Sequence, residues 1–91
     1  MIFDGEILKK AIAHYGVDAQ LDQVSEECLE LALAIRKYKR QPCDGTKWNM
    51  MDEIADVIIM AAQASIIVGV EAVEERMMFK LNRLEERIKN G

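Results

Sequence analysis

Two stretches of otherwise apolar sequence carry acids at helical spacing: SEECLELALAI, with Glu26, Glu27 and Glu30, and MMDEIADVIIM, with Glu53 and Asp56. Residues three apart on an α-helix share one face about one turn apart, so Glu27/Glu30 and Glu53/Asp56 each form a ledge of two carboxylates. Four acids converging from neighbouring helices make a poor core, because like charges repel and buried carboxylates need partners. Around a hard divalent cation the same four become oxygen ligands. Carboxylates without His or Cys at ligand spacing favour Mg²⁺ or Mn²⁺ over zinc. A di-iron bundle site needs Glu-x-x-His pairs, and the sole histidine, His14, is three residues from no Glu. His14 is read as a surface or packing residue.

Four helices can position these acids. The Phe3-Asp4-Gly5-Glu6 segment can start the first, with Asp4 as N-cap; Ile7, Leu8, Ala11, Ile12 and Tyr15 form its stripe, and Gly16 stops it. Asp18 is the expected cap of the second, which runs to about Lys39. Pro42 and Gly45 mark a loop over 40–47, with Thr46 the expected cap of a third helix from about Trp48 to Val68. Gly69 breaks the chain before a fourth over 71–89, whose Val73, Met77, Leu81, Leu84 and Ile88 follow the i, i+4, i+8, i+11, i+15 spacing of an amphipathic helix. The expectation is an all-α antiparallel four-helix bundle-like protomer, one domain spanning 1–91.

Most helical Glu are ordinary solvated surface, and angular position tests that reading here. At about 100° per residue, Glu27 lies between Leu31 and Ala34, Glu30 sits at the edge of that arc beside Gln23, and Glu26 points further round. Glu53 shares its arc with Val57, Met60, Ala64 and Ile67. From Ile54 to Val70 the polar side chains are Asp56, Gln63 and Ser65 alone, and a helix apolar nearly all round is expected to be buried. Its acids then need a cation or Lys/Arg partners, and 41–46 and 48–75 contain no Lys or Arg. Both metal binding and structural ion pairing answer that need; the burial argument favours metal.

The fourth helix carries a basic edge, Arg76, Lys80, Arg83 and Arg87, at i, i+4, i+7, i+11. Alone it reads as a solvated face paired with Glu75, Glu85 and Glu86. Beside a divalent-metal cage it gains a second reading. Mg²⁺ commonly binds a few carboxylates together with substrate phosphates, and Lys and Arg hold the remaining oxygens. With no Walker-type Gly-rich loop, the set suggests hydrolysis of a phosphoanhydride.

The whole chain sets bounds. Its 91 residues are near the small end of what folds alone, so an oligomer is expected. The composition, 51% hydrophobic, 5% aromatic and one proline, is helical rather than β or disordered. A net charge of −4 argues against a nucleic-acid duplex as partner. Cys28 and Cys43 have no CxxC or Cys/His pattern, so neither zinc nor a disulfide is expected, and a reducing cytoplasm is the simpler location. Residues 57–70 are too short to span a membrane, and Met1–Lys10 lacks a secretory core.

Glu26-Glu27-x-x-Glu30 followed after 22 residues by Glu53-x-x-Asp56 resembles the signature of the MazG-like all-α nucleoside triphosphate pyrophosphohydrolases. His14-Tyr15-Gly16-x-x-x-Gln20-Leu21 resembles the lead-in of short MazG-like proteins, and Lys80-x-Asn82-Arg83 their last-helix basic motif. The resemblance implies Mg²⁺-dependent cleavage of an NTP or dNTP between the α- and β-phosphates, giving a nucleoside monophosphate and pyrophosphate. It also implies Glu27, Glu30, Glu53 and Asp56 as metal ligands. Glu26 would be a catalytic acid that supports the ligands or orients water, and Lys80, Asn82 and Arg83 would be phosphate contacts. A homodimer or homotetramer with sites near subunit interfaces is implied as well. Gln20, Tyr38 and Trp48 are candidate walls for the base, with core packing an equal reading for Trp48. Two alternatives stand beside it: a phosphoribosyl-ATP pyrophosphatase-like enzyme, and a non-catalytic helical module whose acids meet a basic partner.

Overall fold

The helix breaks fall where backbone chemistry demands them. In a computed structural model, which describes residues 5–91, the chain forms α1 (Gly5–Tyr15), α2 (Val17–Arg40), α3 (Asp44–Val68) and α4 (Val70–Asn90), with no strand among the described residues. Gly16 and Gly69 separate α1 from α2 and α3 from α4 at φ 93° and 125°, values that L side chains resist and glycine adopts freely. Each closes the preceding helix with its own N–H, Gly16 to the Ile12 carbonyl and Gly69 to that of Ser65, both at 2.8 Å. Gln41, next to Pro42, sits at φ −138° and ψ 72°, since the proline ring excludes its neighbour from helical geometry.

Two capping expectations are revised and a third is not tested. Asp4 lies outside the described residues. Asp18 is in the first turn of α2, which begins one residue earlier at Val17 with Gly16 as its cap. At α3 the cap is Cys43, and the helix starts at Asp44, ahead of the expected Trp48. Thr46 is its third residue and reaches back: Oγ1 accepts from the Cys43 N–H at 3.1 Å and donates to the Gln41 carbonyl at 2.8 Å. That reciprocal bonding satisfies an N–H that a helix start leaves open, and it shrinks the loop to 41–43.

With so short a loop, α2 and α3 fold back as an antiparallel hairpin and form the main packing contact, with α1 lying against both. Among the described residues, Leu8 and Ala34 are the buried hydrophobic ones, and Gln20, Thr46 and Gln63 the buried polar ones. The bundle packing and helical class agree with the sequence. The fourth helix does something else: the chain turns through 118° at Gly69, and among the described helices α4 packs against α3 alone.

The predicted burial of α3 is therefore not met within one chain. Ile54, Ile58 and Ile59 remain exposed, as do Met77, Leu81, Leu84 and Ile88 of the α4 stripe, because the helix that would cover α3 projects away from it. The surface of 7108 Å² exceeds the roughly 5,400 Å² of a compact monomer of this mass. The radius of gyration, 15.7 Å, likewise exceeds the roughly 12 Å of a compact chain of this length. No described helix is by itself long and apolar enough to cross a membrane.

Candidate functional site

The α2–α3 hairpin brings three of the predicted acids together. Glu27, Glu30 and Glu53 each offer a carboxylate oxygen, and these oxygens lie within 4.8 Å of one another. Glu27 and Glu53 are half-buried while Glu30 is exposed, so the cluster has a floor and an open mouth. One oxygen of Glu27 accepts a hydrogen bond from Gln23 Nε2 at 2.9 Å, an i, i+4 contact along α2 that fixes the carboxylate. The other, Glu27 Oε2, is buried without a partner, and so is Glu53 Oε2. Buried polar atoms of folded proteins are nearly always hydrogen-bonded, so two orphaned carboxylate oxygens in one place need an explanation.

The electrostatics point the same way. Glu27 first, then Glu53, pushes the Glu30 carboxyl above its ordinary range through like charge; partial desolvation and the charge of Glu26 add to this. Relief does not come from side-chain cations. The ion pairs among the described residues join Lys9 to Glu6 and Lys89 to Glu85, both exposed and away from the cluster. Structural ion pairing, one of the two readings of these acids, is thus not what the described residues provide. The donor set is all carboxylate and includes two unpartnered oxygens, which fits a hard cation such as Mg²⁺.

The remaining predicted residues are placed differently. Asp56 is exposed and outside the trio. Glu26 is also exposed, close enough for its charge to act on Glu30. Lys80, Asn82 and Arg83 lie exposed on α4, which makes no packing contact with α2, so one chain does not bring them to the acids. Arg83 and Arg76 instead lie over the Phe79 ring, at 5.9 and 4.7 Å from its centroid, a cation–π arrangement on the helix surface. Trp48 is 63% exposed rather than packed in a core, and Tyr38 is half-buried. His14 is exposed and meets Tyr15 edge to face at 4.6 Å.

Two further polar residues of the α2–α3 hairpin were not among the predicted site residues. Gln23 fixes Glu27, and its i, i+4 spacing was the available signal. Gln63 is 2% exposed and donates from Nε2 to Gln20 Oε1, joining α3 to α2. It was visible only as one of three polar residues in an apolar helix. Comparison with models of protein families, with curated proteins and with solved structures finds no significant match.

Proposed function

We propose that this chain is a Mg²⁺-dependent nucleotide pyrophosphohydrolase that cleaves a nucleoside triphosphate between its α- and β-phosphates. The observation that carries the reading is the pair of buried, partnerless oxygens of Glu27 and Glu53 in a trio of carboxylates within 4.8 Å. The spacing of the acidic motifs, which resembles that of the MazG-like enzymes, supplies the reaction. Water adds at phosphorus as the anhydride bond breaks, giving a nucleoside monophosphate and pyrophosphate. Glu27, Glu30 and Glu53 would hold the cation, with Asp56 one turn along α3 from Glu53 as a fourth oxygen donor. Bound there, Mg²⁺ would lower the pKa of water and offset charge on the phosphates. Glu26, exposed beside the trio, would orient the attacking water and take its proton. Gln23 keeps Glu27 aimed inward.

Phosphate binding needs cations that one protomer does not bring to the acids, and α4 carries them at Lys80 and Arg83 with Asn82 between. The excess surface, the bare face of α3 and the bare stripe of α4 support a homo-oligomer in which these helices cover one another between copies. An excess of about 1,700 Å² per chain over a compact monomer lies in the range that obligate homodimers bury.

The test is pyrophosphate release from a panel of canonical and modified nucleoside triphosphates and phosphoribosyl-ATP, with Mg²⁺ and with chelator. Turnover that needs Mg²⁺ and disappears in Glu53→Gln is the expected result. No turnover of any substrate, together with no Mg²⁺ binding by calorimetry, rejects the proposal.

A further inference from the structure

Beside the acid cluster, between α1, α2 and α3, lies an open cavity of about 600 Å³, a volume within the range of small-molecule sites. Leu8, Ala11 and Met60 give it apolar walls, Tyr15 contributes an aromatic ring, and Gln20 and Gln63 bring two amides. Those amides are unusual for a core. Gln63 is 2% and Gln20 9% exposed, and one hydrogen bond joins them, from Gln63 Nε2 to Gln20 Oε1. A primary amide has two donor hydrogens and a carbonyl acceptor. Among the described residues, Gln20 Nε2 and Gln63 Oε1 have no protein partner, yet neither is among the sealed, unsatisfied atoms. Both residues line the cavity, so their unused amide groups are polar groups it can offer a ligand.

One side chain links the cavity to the acids. Gln23 lines it and also donates to Glu27 at 2.9 Å. On α2 the order Gln20, Gln23, Glu27, Glu30 follows i, i+3, i+7, i+10, one face of one helix. On antiparallel α3, Glu53, Met60 and Gln63 follow i, i+7, i+10 in the opposite sense. The seven residues from Gln20 to Glu27 rise about 10 Å along the helix axis, room for a sugar between the amides and the carboxylates.

We propose that this cavity binds the nucleobase of the substrate, with the Gln20–Gln63 amide pair hydrogen-bonding its edge, and that the pair tolerates either order of donor and acceptor. This rests on the nucleotide reading of the acid cluster. A planar heterocycle fits between Tyr15 and the apolar walls, and its edge presents an adjacent donor and acceptor to the two open amide atoms. The tolerance follows from amide chemistry. If both side chains turn over together, Gln20 donates to Gln63 and the open atoms become Gln20 Oε1 and Gln63 Nε2. One pair can thus read the keto edge of uracil or the amino edge of cytosine. Selectivity among bases is then weak, whereas a ligand without a base loses the contact entirely.

The test is binding, independent of turnover: side-chain amide NMR of the full chain, titrated with uridine, cytidine and adenosine 5′-monophosphates in Mg²⁺, against ribose 5-phosphate. The nucleotides are expected to shift the Gln20 and Gln63 side-chain amide signals, with uridine and cytidine forms binding within a few-fold of each other. Ribose 5-phosphate leaves those signals in place. Gln63→Leu, checked for retained helicity, weakens nucleotide binding about tenfold, the scale of one or two lost hydrogen bonds, and leaves Mg²⁺ affinity unchanged. Equal shifts with ribose 5-phosphate overturn the proposal, as do nucleotide shifts that bypass both glutamines. So do amide signals that move only with protein concentration, which would make the cavity a contact between copies. In each case pyrophosphate release decides the cluster's function separately.

Discussion

Replacing Glu53 by Gln separates a charge held for a cation from a charge held for structure. In the metal-free protein its carboxylate faces those of Glu27 and Glu30 within 4.8 Å. Two unit charges at that distance repel by about 1 kcal/mol at the dielectric of water and about 3.5 kcal/mol at an effective dielectric of 20. Glu27 and Glu53 are half-buried, so the lower figure is a floor. The amide removes this repulsion and can donate to a carboxylate oxygen of Glu27 that has no partner. A gain of about 1 kcal/mol raises the Tm of a domain this size by about 4–8 °C. The variant should therefore be more stable than the parent in EDTA.

In Mg²⁺ the order reverses. A ligand at a hundred times its Kd stabilises the native state by about 2.7 kcal/mol, which by the same conversion raises the parent's Tm by about 10–20 °C. The variant, short of one ligand charge, should gain little, and its kcat/KM should fall about a hundredfold or more, the scale of losing several kcal/mol of metal-assisted charge stabilisation. The assay is circular-dichroism melting at one fixed protein concentration, because self-association makes Tm concentration-dependent. A parent melting at the same temperature in Mg²⁺ and EDTA, together with a Glu53→Gln variant less stable than the parent in EDTA, would mean that the Glu53 charge is held for structure and not for a cation.

Further outcomes can be checked separately. Like charge raises the folded-state affinity of Glu30 for a proton, so between its ordinary pKa of 4.5 and the raised value the native state holds more protons than the unfolded one. Metal-free stability should fall as pH rises through that window, while Mg²⁺ affinity should rise, since binding displaces the proton; melts and calorimetry across mildly acidic pH read both. Gly16→Ala meets no atom within 4 Å but forces φ 93° on an L residue, so urea unfolding should show a loss of about 1–2 kcal/mol from backbone strain alone. Thr46→Val removes the bond that closes the start of α3 and the largest influence lowering the Cys43 thiol pKa. It should lose about 1–2 kcal/mol in the same assay and slow alkylation of Cys43 at neutral pH, because less thiolate is present. Leu81→Asp places a charge in the bare stripe of α4 and should shift sedimentation toward a monomer.

Much of the architecture was legible because glycine and proline act locally. Gly16, Pro42 and Gly69 each mark a break, and each does so for a reason confined to its own φ or its neighbour's. The cap of α3 was less legible: Cys43 is a poor side-chain cap, and the reciprocal bonding runs through Thr46, three residues inside the helix. Helix orientation was not legible at all. Periodicity places Met77, Leu81, Leu84 and Ile88 on one face of α4, but nothing in that spacing says whether the face meets α3 of the same chain or another surface. The 118° turn at Gly69 decides it. The i, i+3 spacing pointed to Glu27, Glu30 and Glu53 but equally to Asp56, which lies exposed outside the trio. The Gln20–Gln63 pair could not be read, because it spans 43 residues and two helices.

The acid trio conflicts with the rest of the sequence in one respect, and the conflict is informative. Helix propensity, breaks and the apolar stripes all favour the same fold, while Glu27 and Glu53 set two half-buried, unpartnered oxygens against it. A Gln at either position would keep the helix, supply a donor and ease the repulsion. Local departures of this kind, in sequences otherwise consistent with their fold, are expected at functional sites. The same protomer leaves one face of α3 and the apolar stripe of α4 bare and lets α4 carry its cations away from the acids. Unneutralised carboxylates, an uncovered apolar face on α3 and a stranded basic edge are three incomplete features, and a second copy laying α4 over α3 would complete all of them at once. If that is the arrangement, Leu81→Asp should lower Mg²⁺-dependent turnover along with self-association, although Leu81 touches no phosphate. A variant that becomes monomeric and keeps its full kcat/KM would show instead that one chain holds the complete site.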